Sequence, residues 1–192
     1  MPYHESPMPT PTDTDDALYV ALLHVCERSF FAFVEACDAL QFAVLVGKTQ
    51  SQPPLQDVNG LEAMAAQLPR WLKASVAFDG NSSSGAIEIL LPERLARWLV
   101  ASLLGISTEV DLGQVELLDG QVFDGTGEFV NMVCGAWLTD RSGSQAFSLG
   151  PPAVTRLPAG WSPLADPCHG PNRLQVCVNE LPLQISVRSS AA

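Results

Sequence analysis

Residues 73–105 read KASVAFDGNSSSGAIEILLPERLARWLVASLLG, and the fold turns on how this stretch is read. Lys73 to Phe78 and Gly85 to Leu91 alternate in the two-residue period of a strand. Between them stands Asp79-Gly80-Asn81-Ser82, residues that tolerate turn geometry, so the spacing predicts a hairpin. Pro92 follows where a first helical turn accepts a residue without an amide hydrogen. Leu95, Trp98, Leu99, Leu103 and Leu104 then form an apolar stripe that ends at Gly105, which predicts a helix.

Upstream, Leu18, Leu22, Val25, Phe30, Phe33 and Val34 recur at three- and four-residue steps, which predicts one long amphipathic helix from Ala17 to about Phe42, capped by Asp15 or Asp16. Thr49 to Asn59, with its Pro-Pro pair, reads as a connection, and Leu61 to Leu68 as a short helical turn. Downstream, Val115, Leu118, Val122, Phe129, Val133 and Trp137 predict a helix over 114–138. Gly120, Gly125 and Gly127 interrupt it, and each costs about 1 kcal/mol relative to Ala, so the run either continues as one helix or breaks near Asp124 to Gly127. Gln145 to Leu149, Ala153 to Arg156, Arg173 to Asn179 and Pro182 to Arg188 read as strands, the last two meeting near Glu180-Leu181, and Pro158 to Asn172 as a long loop. The order suggests a two-layer α+β fold, one helix-hairpin unit used twice, with long helices packed on a mostly antiparallel sheet of about six strands.

The chain has 192 residues, 47% of them hydrophobic, enough for one core. One domain over 17–192 is expected, after a Pro-, Thr- and Asp-rich tail over 1–16 that cannot offset its own ordering entropy. A net charge of -11 without a Lys/Arg cluster excludes nucleic acid as a partner. No apolar run reaches the roughly 20 residues of a membrane helix, and the N-terminus has no signal-peptide pattern. Five scattered cysteines complete the expectation of a reduced, soluble, cytoplasmic protein. Cys168-His169 with Cys177 lacks paired ligand spacing, and no metal is expected in the chain. His24 falls on an apolar stripe with no nucleophile to serve. The Phe30-Phe31-Ala32-Phe33 cluster either fills the core or packs partly against a second copy in a homodimer.

The residues with chemistry to offer lie at Gly127-Glu128-Phe129-Val130-Asn131-Met132-Val133-Cys134-Gly135. At three-residue spacing Glu128 and Asn131 share a helix face, which Gln121, Asp124 and Gly135 continue as a narrow polar seam on which a partner docks. Gly135 puts no side chain on that seam, so another backbone or a phosphorylated side chain approaches closely there. Asp124 either joins the seam or caps a helix restarted near Gly127. Glu-x-x-Asn alone is a common surface pattern.

Together with Ser148-Leu149-Gly150-Pro151-Pro152-Ala153-Val154 and the hairpin-to-helix segment, however, Glu128-x-x-Asn131-Met132-x-x-Gly135 resembles the CheX branch of the CheX/CheC/FliY chemotaxis phosphatases. The resemblance implies a CheC-like fold and hydrolysis of the aspartyl phosphate of a phosphorylated CheY-like response regulator. It assigns Asn131 to orienting the attacking water and Glu128 to pairing with the regulator's active-site Lys. It implies Mg2+ in the partner receiver and no cofactor in this chain. Where CheC-type members carry a second Glu-x-x-Asn, this chain has Glu27-Arg28-Ser29-Phe30, which implies one active site. Two other readings stay open: a non-catalytic module docking on a receiver or motility protein, and a redox reporter acting through Cys134.

Overall fold

The computed structural model describes residues 13–50, 70–80, 83–106, 117–142, 146–165 and 173–191. These form, in order, α1 (Asp13–Val25), a π-helical turn (Cys26–Phe30), β1 (Val34–Ala36), α2 (Ala39–Gln50), β2 (Trp71–Gly80), β3 (Ser83–Pro92), α3 (Glu93–Leu103), α4 (Asp119–Ser142), β4 (Phe147–Leu149), β5 (Ala153–Arg156), β6 (Arg173–Val178) and β7 (Leu181–Ala191). The fold is the expected α+β arrangement, with seven strands in one sheet ordered β1-β6-β7-β3-β2-β4 and β5 also on β2. Every pairing described is antiparallel.

That order reads the same from either end when the halves are exchanged. Hairpins β2–β3 and β6–β7 meet at the centre through β3 and β7, and each half sends its edge strand across to the other half's hairpin, β1 to β6 and β4/β5 to β2. The duplication expected from the element order therefore appears as a palindromic sheet. One face, built by Leu72, Val76, Ile87, Ile89, Leu183 and Ile185, buries the apolar sides of α1, α3 and α4 through Leu18, Leu22, Leu95, Leu99, Val122, Phe129 and Val133. On the other face Trp71 packs with Phe42 and Val46 of α2, and Trp161 stands edge-on to it at 6.0 Å. No described helix is long and apolar enough to cross a membrane.

The single helix expected over Ala17–Phe42 is instead two helices with a strand between them. After the π-helical turn Phe31 adopts the left-handed conformation (φ 53°), and the chain leaves as β1. From Phe30 to Glu35 burial alternates strictly, with Phe30, Ala32 and Val34 in and Phe31, Phe33 and Glu35 out. One helix face could not bury the aromatic run, whereas a strand paired with β6 shelters every second residue. Asp38 then opens α2 with a reciprocal capping box: its Oδ1 accepts from Gln41 N–H at 2.7 Å, and Gln41 Oε1 accepts from Asp38 N–H at 3.0 Å. The first helix begins at Asp13, inside the stretch expected to be a tail, while residues 1–12 lie outside the described residues. The same holds for most of the Thr49–Asn59 connection, all of Leu61–Leu68 and the end of the Pro158–Asn172 loop.

Of the two alternatives at Asp124 to Gly127 the continuous helix is the one formed, because α4 runs unbroken for 24 residues. Two of its four glycines, Gly125 and Gly127, sit where other elements press close. A Cβ on Gly125 would lie 2.6 Å from Val100 Cγ2 of α3, and one on Gly127 would lie 3.1 Å from Pro152 Cγ. The tight turn between β6 and β7 falls at Asn179-Glu180, both at positive φ (46° and 64°), one residue before the expected place.

Candidate functional site

The seam expected on α4 is a continuous helix face. Asp124 and Glu128 are exposed, Asn131 is half-buried, and a Cβ added to Gly135 would meet nothing within 4 Å. Since α4 does not restart, Asp124 has no helix end to cap. Asn131 Oδ1 is buried and accepts no hydrogen bond. Gln121 shares the face but has a local task, because its Oε1 accepts from Leu118 N–H at 2.9 Å and closes the first turn of α4.

The connection between β4 and β5 flanks the seam. Pro151 and Pro152 are exposed, and Pro152 lies against Gly127, one turn before Asn131. Gly150 N–H donates to Ala77 O at 2.9 Å, fixing the connection to β2. Sequence reading did not assign Pro152 to the site.

The start of α4 is held by ions. Buried Glu93 receives Arg97 at 2.9 Å and Arg156 at 3.1 Å, and Arg156 also meets Asp119 at 2.9 Å and lies 5.3 Å over the Phe123 ring. The Arg156 hydrogen bond holds the Asp119 carboxyl below the usual carboxylate range. These contacts join β5, α3 and α4, so the Pro152 wall and the seam helix are fixed to one anchor.

Cys134, three residues after Asn131 on α4, is fully buried, and burial pushes its thiol up to about 12. A thiol so placed stays protonated and slow to react. Cys168 and His169 lie outside the described residues. Phe30, at the place a second amide would occupy, is buried edge-on against Phe129 at 5.3 Å. His24 is exposed rather than on the apolar side of α1.

Residues 72–159, which include the seam from Gln121 to Gly135 and the Pro152 wall, match the family model for the chemotaxis phosphatase CheX. A chemotaxis protein CheX from Desulfovibrio desulfuricans superposes with a TM-score of 0.58 at 13% identity, covering 93% of this chain and 100% of that one. Over residues 72–159 this chain is CheX-like. The CheX of Vibrio vulnificus gives a TM-score of 0.58 at 14% identity over 95% of this CheX-like chain and 100% of its own. The structure of a CheX-CheY-BeF3-Mg complex from Borrelia burgdorferi gives 0.53 at 16% identity over 93% and 99%. At such identities the likeness shows a shared CheX fold. No curated protein matches the CheX-like chain in sequence.

Proposed function

We propose that this CheX-like protein hydrolyses the aspartyl phosphate of a phosphorylated CheY-like response regulator docked on the α4 seam. The observation that carries the proposal is the unpartnered Oδ1 of Asn131, one turn from exposed Glu128 and beside the open surface at Gly135. A buried acceptor without a partner costs about 1–3 kcal/mol, and a water brought by the docked phosphoryl group is a partner that would remove the cost. The CheX-CheY-BeF3-Mg complex supports a CheY-like receiver as the partner class.

Acyl phosphates already hydrolyse unaided, so the protein need only fix a water in line with the scissile bond while charge spreads over the transferring group. Asn131 is suited to that, because its carbonyl accepts from the water, its NH2 donates, and it carries no charge near the phosphoryl dianion. A 180° turn about χ2 exchanges the two ends of the amide, so either end can be presented to a docked partner. Glu128 would repel the phosphoryl group at close range, and it serves better by pairing with the receiver's active-site Lys and setting the docking register. Mg2+ belongs to the receiver's acidic pocket, and this chain contributes no cofactor.

The test is the decay of a panel of phosphorylated receivers with and without the protein. Asn131→Ala is expected to cut the acceleration roughly 100-fold while leaving binding intact, because the water loses its orientation and the seam keeps its shape. Unaltered decay across the panel would instead favour docking without catalysis, a reading motivated by the burial of Asn131 Oδ1.

A further inference from the structure

The connection from β4 to β5 runs beside the seam for the length of its motif. Leu149 is paired directly opposite Phe78 and so shares its sheet face, and Phe78 stands edge-on to Trp137 of α4 at 5.5 Å. Pro152 lies against Gly127, and from Gly127 to Trp137 is about 15 Å along the helix. Glu128, Asn131 and Gly135 fall between those two points. Leu149 is 41% exposed, and Pro151 and Pro152 are exposed, so the connection presents an apolar ridge alongside the motif. The ridge is set before any partner arrives. Gly150 is bonded to Ala77, the prolines have a fixed φ, and little freedom is left to lose on binding.

At about 100° per residue, Asn131 stands about 40° around α4 from Gly127, and Glu128 about 100°. The amide therefore lies between the ridge and the acid. The acidic flank is of one sign, because from Asp119 to Asp140 the helix carries four acids and neither Lys nor Arg. Arg156 takes Asp119, whereas exposed Asp124 and Glu128 form no ion pair among the described residues. Like charges one turn apart oppose the helix that carries them, and what they favour is a cation from outside. We infer that the receiver presents a large apolar side chain to Leu149, Pro151 and Pro152 and, besides its active-site Lys, a second Lys or Arg to Asp124, about 6 Å along the helix from Glu128. This assignment rests on the docking proposed above. A protein that brings an aspartyl phosphate to Asn131 has to meet both flanks, and together they select among receivers that share one phosphorylation chemistry.

The test measures binding of each receiver of the same panel, loaded with Mg2+ and beryllofluoride in place of the phosphoryl group, so that docking is read without hydrolysis. In roughly 0.15 M salt Leu149→Ser is expected to weaken binding at least about tenfold, and Leu149→Met to keep it. Asp124→Asn should weaken it about threefold, a loss that fades in high salt while the Leu149→Ser loss remains. Leu164 is exposed in the turn after Trp161, which packs on the Trp71 end of β2, and Leu164→Ser should leave binding unchanged. Circular dichroism of each variant separates a lost ridge from a lost fold. Both losses without any accelerated decay would support the inference and end the phosphatase reading. Binding within about twofold of wild type in either Leu149→Ser or Asp124→Asn would overturn the inference, whatever Asn131→Ala does to the decay. Failure of every receiver to bind would overturn both. Sedimentation showing a dimer that Leu149→Ser dissociates would also overturn the inference, since a second copy would then cover the ridge.

Discussion

Two stretches of this chain behave oppositely to their composition. Residues 17–42 contain neither Gly nor Pro, yet they break into helix, π-helical turn, strand and a second helix. Residues 119–142 contain Gly120, Gly125, Gly127 and Gly135, yet they form one helix. Glycine penalties of about 1 kcal/mol each are outweighed where Val122, Phe129, Val130 and Val133 are fully buried, at about 1.5–3 kcal/mol per side chain. In the first stretch helix propensity loses to strand pairing, because β6 takes up the backbone of β1 and shelters alternate side chains. Long-range contact decides both cases.

The largest effect should come from filling the closest of these contacts. Gly125→Leu places a branched side chain where Val100 already stands 2.6 Å from the Cβ position, and a loss of about 3 kcal/mol in urea-unfolding stability is expected from overpacking. A loss under about 0.5 kcal/mol would mean that the α3–α4 contact does not require glycine, and the comparison would fail at its strongest point.

Next in size is the start of α2. Asp38→Ala removes one half of the capping box and is expected to cost about 1 kcal/mol. An unchanged unfolding midpoint would mean that β1 alone redirects the chain and the cap merely follows. This position also shows what could be read beforehand. Asp38-x-x-Gln41 is a helix-start signal, and Phe30 to Glu35 carry a two-residue burial period, but both sit inside a stretch whose three- and four-residue spacing also fits a helix. Where two periods overlap, the sequence does not say which neighbour will pair. The β2–β3 hairpin and α3 carry no such conflict, and both appear where they were expected.

The seam was legible because it is local: Glu128, Asn131 and Gly135 lie within three turns of one helix, and their spacing alone puts them on one face. Gln121 shares that spacing but is drawn into the Leu118 cap, and the Pro152 wall is brought in by strand pairing between β5 and β2. Gly135 offers the reverse of Gly125. With nothing within 4 Å of its Cβ position, Gly135→Ala should raise stability by about 0.5–1 kcal/mol through helix propensity. If the proposed docking is right, the same methyl group should slow receiver dephosphorylation, so stability and activity would move in opposite directions. A variant improved in both would remove Gly135 from the docking surface.

The smallest expected effect tests what starts α4. Asp119 lies in its first turn and is 60% exposed, so solvent screens much of its attraction to Arg156. Its carboxyl titrates below the usual range in the folded chain, chiefly because Arg156 donates to it. Stability from this pair is therefore complete above the ordinary carboxylate value of about 4 and is lost as pH falls through the lower folded value. The melting-temperature gap between the wild type and Asp119→Asn should be small and constant near neutrality, should narrow on acidification below about pH 4, and should shrink in high salt. A gap that persisted unchanged in strong acid would show that Asp119 supports α4 through packing rather than charge. The ion cluster would then rest on Glu93, and the unbroken helix would owe its start to the Gln121 cap alone.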